Sequence, residues 1–173
     1  SSGGLSYPFE TLLKLFDEVS TIKAIKDWCN EPMLHEKHIR VFQNLPNPVN
    51  VLTTHSAWLM SSLVMGANGL LSGAGSVIAP LQVRLFNAVK NNNLEEAKDI
   101  NDKIFPLVQL FYKPPFLDMH NRMKETLVIL NAMKKAVVRP PLMKLPFEEI
   151  EELKNTVNDI NLDNKLNFVK LVV

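Results

Sequence analysis

Three short apolar runs, each bounded by stretches with helical spacing, restrict this chain to a narrow set of folds. The runs are residues 22–26, 49–54 and 69–72. Each is too short for a stable helix, and the second is rich in Val and Thr, side chains that suit a pleated surface. Between them the spacing turns helical. Leu12, Leu13, Leu15 and Phe16 mark a helix over 8–19, and Leu34, Ile39, Val41 and Phe42 mark another over 32–45. Ser56 is placed to cap a helix over 57–65 that stops at Gly66, and Gly73-Ala74-Gly75-Ser76 leads into a helix over 77–91. Strands alternating with helices through short links form parallel βαβ units. The order serves an open doubly wound sheet or a closed eight-stranded barrel. Three strands alone leave two unpaired edges, so further strands or another chain are expected to cover them.

Past residue 91 the pattern becomes helical. Residues 92–112 carry Leu94, Ala97, Ile100, Ile104 and Leu107 on one stripe, and helices are expected over 118–133 and 146–160. The proline pairs of Lys113-Pro114-Pro115 and Arg139-Pro140-Pro141 separate them. The chain therefore divides into an α/β part over 1–91, a helical extension over 92–160 and a tail over 161–173. The tail ends in a weak strand pattern at 168–173, which a complete small α/β domain would need as a fourth strand. Ser1-Ser2-Gly3-Gly4 reads as an opened loop, so the chain is expected to start inside its domain.

Charge narrows the function. With 19 basic and 18 acidic residues, the net charge of +1 gives no field for nucleic acid or an anionic membrane. The single cysteine, Cys29, is read as excluding an internal disulfide and a cysteine-based zinc site, and fits a reducing, cytoplasmic setting. No apolar run approaches the ~18 residues of a membrane helix, since Asn68 and neighbouring glycines break the nearest one, and no signal peptide is visible.

Side chains alternate along a strand, so Ile22, Ala24 and Lys26 share one face and Lys23, Ile25 and Asp27 the other. A long amine among small and branched apolar side chains, at a strand's C-terminal end, suits a Schiff-base lysine. Its amine must be neutral to attack a carbonyl, which requires a pKa brought down from ~10.4 by desolvation. A solvated lysine at a strand's mouth has the same local pattern. His55 fits a substrate hydrogen bond or a helix cap equally well. His35 and His38, three apart beside Glu36, lack a third metal ligand and are expected on a solvated helix face. Cys29 has no partner base and reads as a structural thiol. The turn at 73–76 suits an anion or merely a tight βα connection. Arg139 is expected to anchor the C-terminal helices through carbonyls, and Met60, Met65, Met119, Met123 and Met133 are expected in the core.

Five motifs in order carry a resemblance. They are Ala24-Ile25-Lys26-Asp27, Val51-Leu52-Thr53-Thr54-His55-Ser56, Gly66-Ala67-Asn68-Gly69-Leu70-Leu71-Ser72-Gly73, Asn93-Leu94-Glu95-Glu96-Ala97 with Phe105-Pro106-Leu107, and Val138-Arg139-Pro140-Pro141-Leu142. Together, over about residues 7–153, the chain resembles the dihydrodipicolinate synthase / N-acetylneuraminate lyase family. The resemblance implies the C-terminal part of a (β/α)8 barrel, strands six to eight, followed by a helical extension and usually assembled into tetramers. It implies class I aldolase or lyase chemistry without a cofactor or metal: Lys26 condenses with pyruvate or a related 2-oxo acid, and the iminium serves as electron sink for addition to an aldehyde or for cleavage. Thr54, His55, Leu71 and Ser72 would line the same mouth and bind substrate. The family's relay tyrosine and its paired threonine–hydroxyl motif have no counterpart here, since Tyr7 opens a helix and Tyr112 closes one. Position 54 holds Thr in place of the family's glycine, and Asp27-Trp28-Cys29-Asn30 departs from the usual stretch after the lysine. Without the earlier strands, the chain alone is expected to be inactive. The competing expectations are a non-catalytic half-barrel that assembles with another copy or chain, and a small α/β domain with a binding or interaction role.

Overall fold

The computed structural model describes residues 7–54 and 56–162. The order is α1 (Phe9–Glu18), β1 (Ala24–Asp27), α2 (Pro32–Phe42), β2 (Asn50–Thr53), α3 (Leu59–Val64), β3 (Gly69–Leu70), α4 (Gly75–Lys90), α5 (Leu94–Tyr112), α6 (Met119–Ile129) and α7 (Phe147–Asp159). Every predicted helix and strand up to residue 160 is present, with ends moved by a few residues. One boundary has a clear cause. Ser56–Trp58 forms a 3-10 turn, so α3 starts at Leu59 and Trp58 takes the position before it, in place of the predicted Ser56 cap. The predicted strand at 168–173 lies outside the described residues.

The strands form one parallel sheet in the order β1-β2-β3, with Lys26 beside Leu52, Leu52 beside Gly69, and Asp27 beside Thr53. Asn68 extends the ladder from its side chain: Val51 N–H donates to Asn68 Oδ1 at 2.9 Å, and Asn68 N–H donates to the Val51 carbonyl. The core lies on one side of this sheet only. Val51 and Thr53 are buried against the helices, while Ala24, Lys26 and Asn50 on the other side are exposed. Among the described residues nothing covers that second side, and nothing pairs with the outer edges of β1 and β3.

Helices α4 and α5 carry most of the remaining core, with Val77, Ile78, Leu81, Leu85, Ile104, Leu107 and Phe111 buried. Pro80 sits inside α4, and the helix is kinked just before it, at Ile78 (φ −121°, ψ 27°). Asn93 caps α5 by accepting a hydrogen bond from Glu96 N–H.

The anchor of the C-terminal helices is Arg122, not Arg139. Arg139 is exposed, midway along the connection between α6 and α7. Arg122 is fully buried in α6. Its Nη1 donates to the carbonyls of Phe111 (3.2 Å) and Lys113 (2.6 Å), where α5 runs out of helical partners, and its Nε pairs with Glu149 of α7. One guanidinium thus joins three helices, because its planar fork can serve several acceptors at once. Arg122→Ala is expected to cost about 3 kcal/mol, the scale for removing one partner of a buried pair. A lower urea midpoint with unchanged slope would register it. Of the methionines, Met123 is in the core, Met60 and Met65 pack against it, and Met119 and Met133 are half-buried.

Candidate active site

Lys26 is the third of the four residues of β1 and stands on the uncovered side of the sheet, in one row with Leu52 and Gly69. Gly69 keeps that row close: a Cβ there would come within 3.3 Å of Leu52 Cδ2. The C-terminal strand ends gather around the lysine. Thr54 N–H donates to the Asp27 carbonyl at 3.3 Å, and Leu71 N–H to the Thr53 carbonyl at 2.8 Å. The buried Thr54 hydroxyl donates to the Leu71 carbonyl at 2.6 Å, which ties the end of β2 to that of β3. Leu71 itself is half exposed. Ser72 accepts a hydrogen bond from Gln82 Nε2 of α4, and its carbonyl accepts from Gly75 N–H. So Lys26, Thr54, Leu71 and Ser72 do come together at one end of the sheet, with Thr54 and Ser72 already engaged with protein. His55 lies outside the described residues. Trp28 packs on Phe116 (ring centroids 5.4 Å apart), and Phe116 on Tyr112 (6.0 Å), so an aromatic group borders the same end. Tyr7 is exposed ahead of α1.

The opposite side of β1 holds a group that sequence reasoning placed wrongly. His35 and His38 are buried, not solvated. Both direct Nδ1 at the same oxygen of Asp27, at 2.7 and 2.8 Å, and His35 Nε2 lies 2.6 Å from the Ser62 hydroxyl of α3. The other Asp27 oxygen accepts from Cys29 N–H at 3.0 Å. The His38 ring stacks on Phe42, 4.8 Å away. Burial pushes the Asp27 carboxyl up, but the hydrogen bonds and charge of the two histidines outweigh it and hold Asp27 well below the usual carboxylate range. The signal was present in the spacing. His35, His38, Ile39 and Phe42 stand at i, i+3, i+4 and i+7, the buried stripe of a helix, while Lys37 and Arg40 point outward.

Burial pushes the Cys29 thiol up to about 12, and the neighbouring Asp27 charge adds to the shift. With little thiolate at mildly alkaline pH, alkylation by iodoacetamide is expected to run about 100-fold slower than for an ordinary thiol. A rate equal to that of glutathione would contradict this environment.

A parallel strand–helix array is common to open α/β sheets and to closed barrels, and in both the ligand sites lie at the C-terminal ends of the strands. Solved structures agree on the fold. The dihydrodipicolinate synthase of Thermotoga maritima superposes with a TM-score of 0.78 at 18% identity, over 88% of this chain and 50% of that one. YagE, a prophage protein from E. coli K12 of the dihydrodipicolinic acid synthase family solved with pyruvate, superposes at 0.76 with 23% identity, over 86% of this chain and 49% of that one. In sequence, the 4-hydroxy-tetrahydrodipicolinate synthase of Methanococcus vannielii is 24% identical over 153 residues, 88% of this chain and 50% of the relative. The family model for the dihydrodipicolinate synthetase family matches residues 2–160, and the chain belongs to that family. It spans about half the length of the relatives it matches.

Proposed function

We propose that this chain supplies the Schiff-base half of a lyase or aldolase acting on pyruvate or a related 2-oxo acid. The observation that carries the reading is the placement of Lys26: at the C-terminal end of a parallel strand, on the side of the sheet away from the helices, beside the ends of the next two strands. The lysine amine adds to the 2-oxo carbon and water leaves. The protonated imine then takes up the electron pair of a C–H bond on the adjacent carbon as its proton leaves, or of the C–C bond there in cleavage, and the resulting enamine adds to an aldehyde or is reprotonated. Thr54, His55, Leu71 and Ser72 border the substrate, with Leu71 and the Trp28–Phe116 pair as its apolar margin. The pyruvate complex of YagE supports the choice of oxo acid.

On this reading β1, β2 and β3 are strands six to eight of an eight-stranded barrel and α5 to α7 its helical extension. Further strands, from outside these residues, cover the bare side of the sheet. That cover desolvates the amine, which favours its neutral, nucleophilic form. It also brings the family's relay tyrosine, whose place in the family pattern neither Tyr7 nor Tyr112 matches. The complete assembly is a cytoplasmic homo-oligomer, a tetramer as the family resemblance implies.

Borohydride reduction in the presence of pyruvate tests the mechanism. In the barrel-complete protein a stable adduct on the peptide containing Lys26 is expected by mass spectrometry. An unmodified Lys26, or an adduct only on other lysines, would sink it. The bare sheet side and its open edges also support self-assembly of a non-catalytic half-barrel. Size measurement separates the two: a compact, monodisperse monomer argues against that second reading.

A further inference from the structure

The Asp27 cluster lies behind the sheet, away from the substrate side, and the Schiff-base chemistry does not use it. Its donors are of three kinds. A carboxylate oxygen of Asp27, Cys29 Sγ and Nδ1 of His38 all lie within 4.8 Å of one another. Two further features surround them. His35 holds the same Asp27 oxygen and is itself fixed through Nε2 by Ser62, so a carboxylate in this place is oriented from outside. Thr53 stands beside Asp27 in the parallel register, and its hydroxyl is buried without a hydrogen-bond partner among the described residues. An orphaned buried hydroxyl costs stability unless something polar meets it, so this one points to a further polar group next to the carboxylate.

From this geometry we propose that Asp27, Cys29 and His38 form a binding site for a divalent transition metal of the zinc class. One carboxylate, one imidazole and one thiol make a borderline-soft set, which disfavours magnesium and calcium, ions that prefer all-oxygen shells. Bond lengths of ~2.0 Å to N and O and ~2.3 Å to S put the donors of a tetrahedral ion about 3.5 Å apart. Reaching that spacing requires the Asp27–His38 hydrogen bond to open and the half-buried thiol to leave the Glu31 carbonyl, which it meets at 3.4 Å. Three protein ligands leave a fourth position to water, on the sheet face that Asp27 shares with Thr53. On binding, the thiol loses its proton to solvent. Nδ1 of His38 gives up the proton through which it bonds Asp27, by exchange with solvent, and the bound imidazole carries its one proton on Nε2. Reaching the site takes no backbone opening, because Cys29 is partly exposed. The sequence hid it, since the two histidines, three apart, needed ligands from a neighbouring strand end.

The test uses the chain stripped with chelator, then titrated with Zn²⁺ by calorimetry and with Co²⁺ by absorption. One equivalent of each is expected to bind with micromolar or better affinity, with a thiolate-to-cobalt charge-transfer band in the near ultraviolet and proton release in weak buffer. Cys29→Ser is expected to abolish that band and weaken zinc binding more than tenfold. His38→Gln is expected to weaken zinc binding to a similar degree, and Lys26→Arg to leave it unchanged. Circular dichroism establishes that each variant is folded, and the partly exposed Cys29→Ser keeps the test decisive where His38→Gln does not fold. Absence of saturable binding, a cobalt complex without the charge-transfer band, or zinc binding unaffected by Cys29→Ser would each overturn the site. None of these readouts depends on an adduct at Lys26.

Discussion

Lys26→Arg is expected to remove the pyruvate adduct and lower turnover by about 10⁴-fold or more in the barrel-complete protein, the scale seen when a covalent nucleophile is lost. Arginine keeps the length and the positive charge. Its guanidinium stays protonated at any working pH, so no lone pair is free to attack the oxo carbon. The comparison therefore separates nucleophilic from merely electrostatic work by this side chain. A charge that only held the substrate carboxylate would survive the change with modest loss in KM and little in kcat. Single-turnover measurements distinguish the cases directly, and retained imine formation in the variant would remove Lys26 from the mechanism.

Asp27→Ala is expected to be the most destabilising change near the site, by about 3–5 kcal/mol, because it leaves buried imidazoles and a backbone N–H without their acceptor. The interactions lost are those from His35, His38 and Cys29 N–H. The pH dependence follows from the lowered carboxyl. A group whose native pKa lies below its unfolded value stabilises the fold in full above the unfolded value, about 3.9 for aspartate. That contribution fades as pH falls from about 4 toward the native value. Wild type and variant should therefore differ most at neutral pH and converge in acid. Urea unfolding across a pH series measures this, and a gap that stayed constant into acid would show that packing, not the charge, accounts for the loss.

Much of this architecture was legible in the sequence because its signals are local. Val49 to Thr54 has the β-branched composition of a strand, and its observed span, Asn50–Thr53, differs only at the ends. The alternation that put Lys26 and Asp27 on opposite faces holds in the structure, with Asp27 buried and Lys26 exposed. Ile22 was read into β1 yet precedes it, since an apolar residue entering a core looks the same from a strand or a loop. What could not be read was the partner of a buried polar group. The helical spacing of His35 and His38 with Ile39 and Phe42 puts them on the buried stripe, but it does not say that Asp27, at the end of β1, faces them. Arg122 looks like an ordinary helix charge, whereas Arg139, beside two prolines, looks like an anchor. The carbonyls that decide between them belong to the end of α5 and the loop after it. Such assignments depend on which chain ends meet in space, and helical or strand period carries none of that information.

Adjacency of Lys26 and Asp27 on so short a strand has a further consequence for how β1 finds its place. A one-residue slip of β1 along β2 would turn every side chain to the other face. The amine would then enter the helix layer, and the carboxylate would face the open side. A strand of four residues, paired on one side only among the described residues, has little in its backbone to prevent this. The two imidazoles of α2 and the hydroxyl of α3 provide what the backbone does not, because only one register meets them with an acceptor. The buried cluster thus works as a register lock, selecting the alignment in which the lysine looks outward.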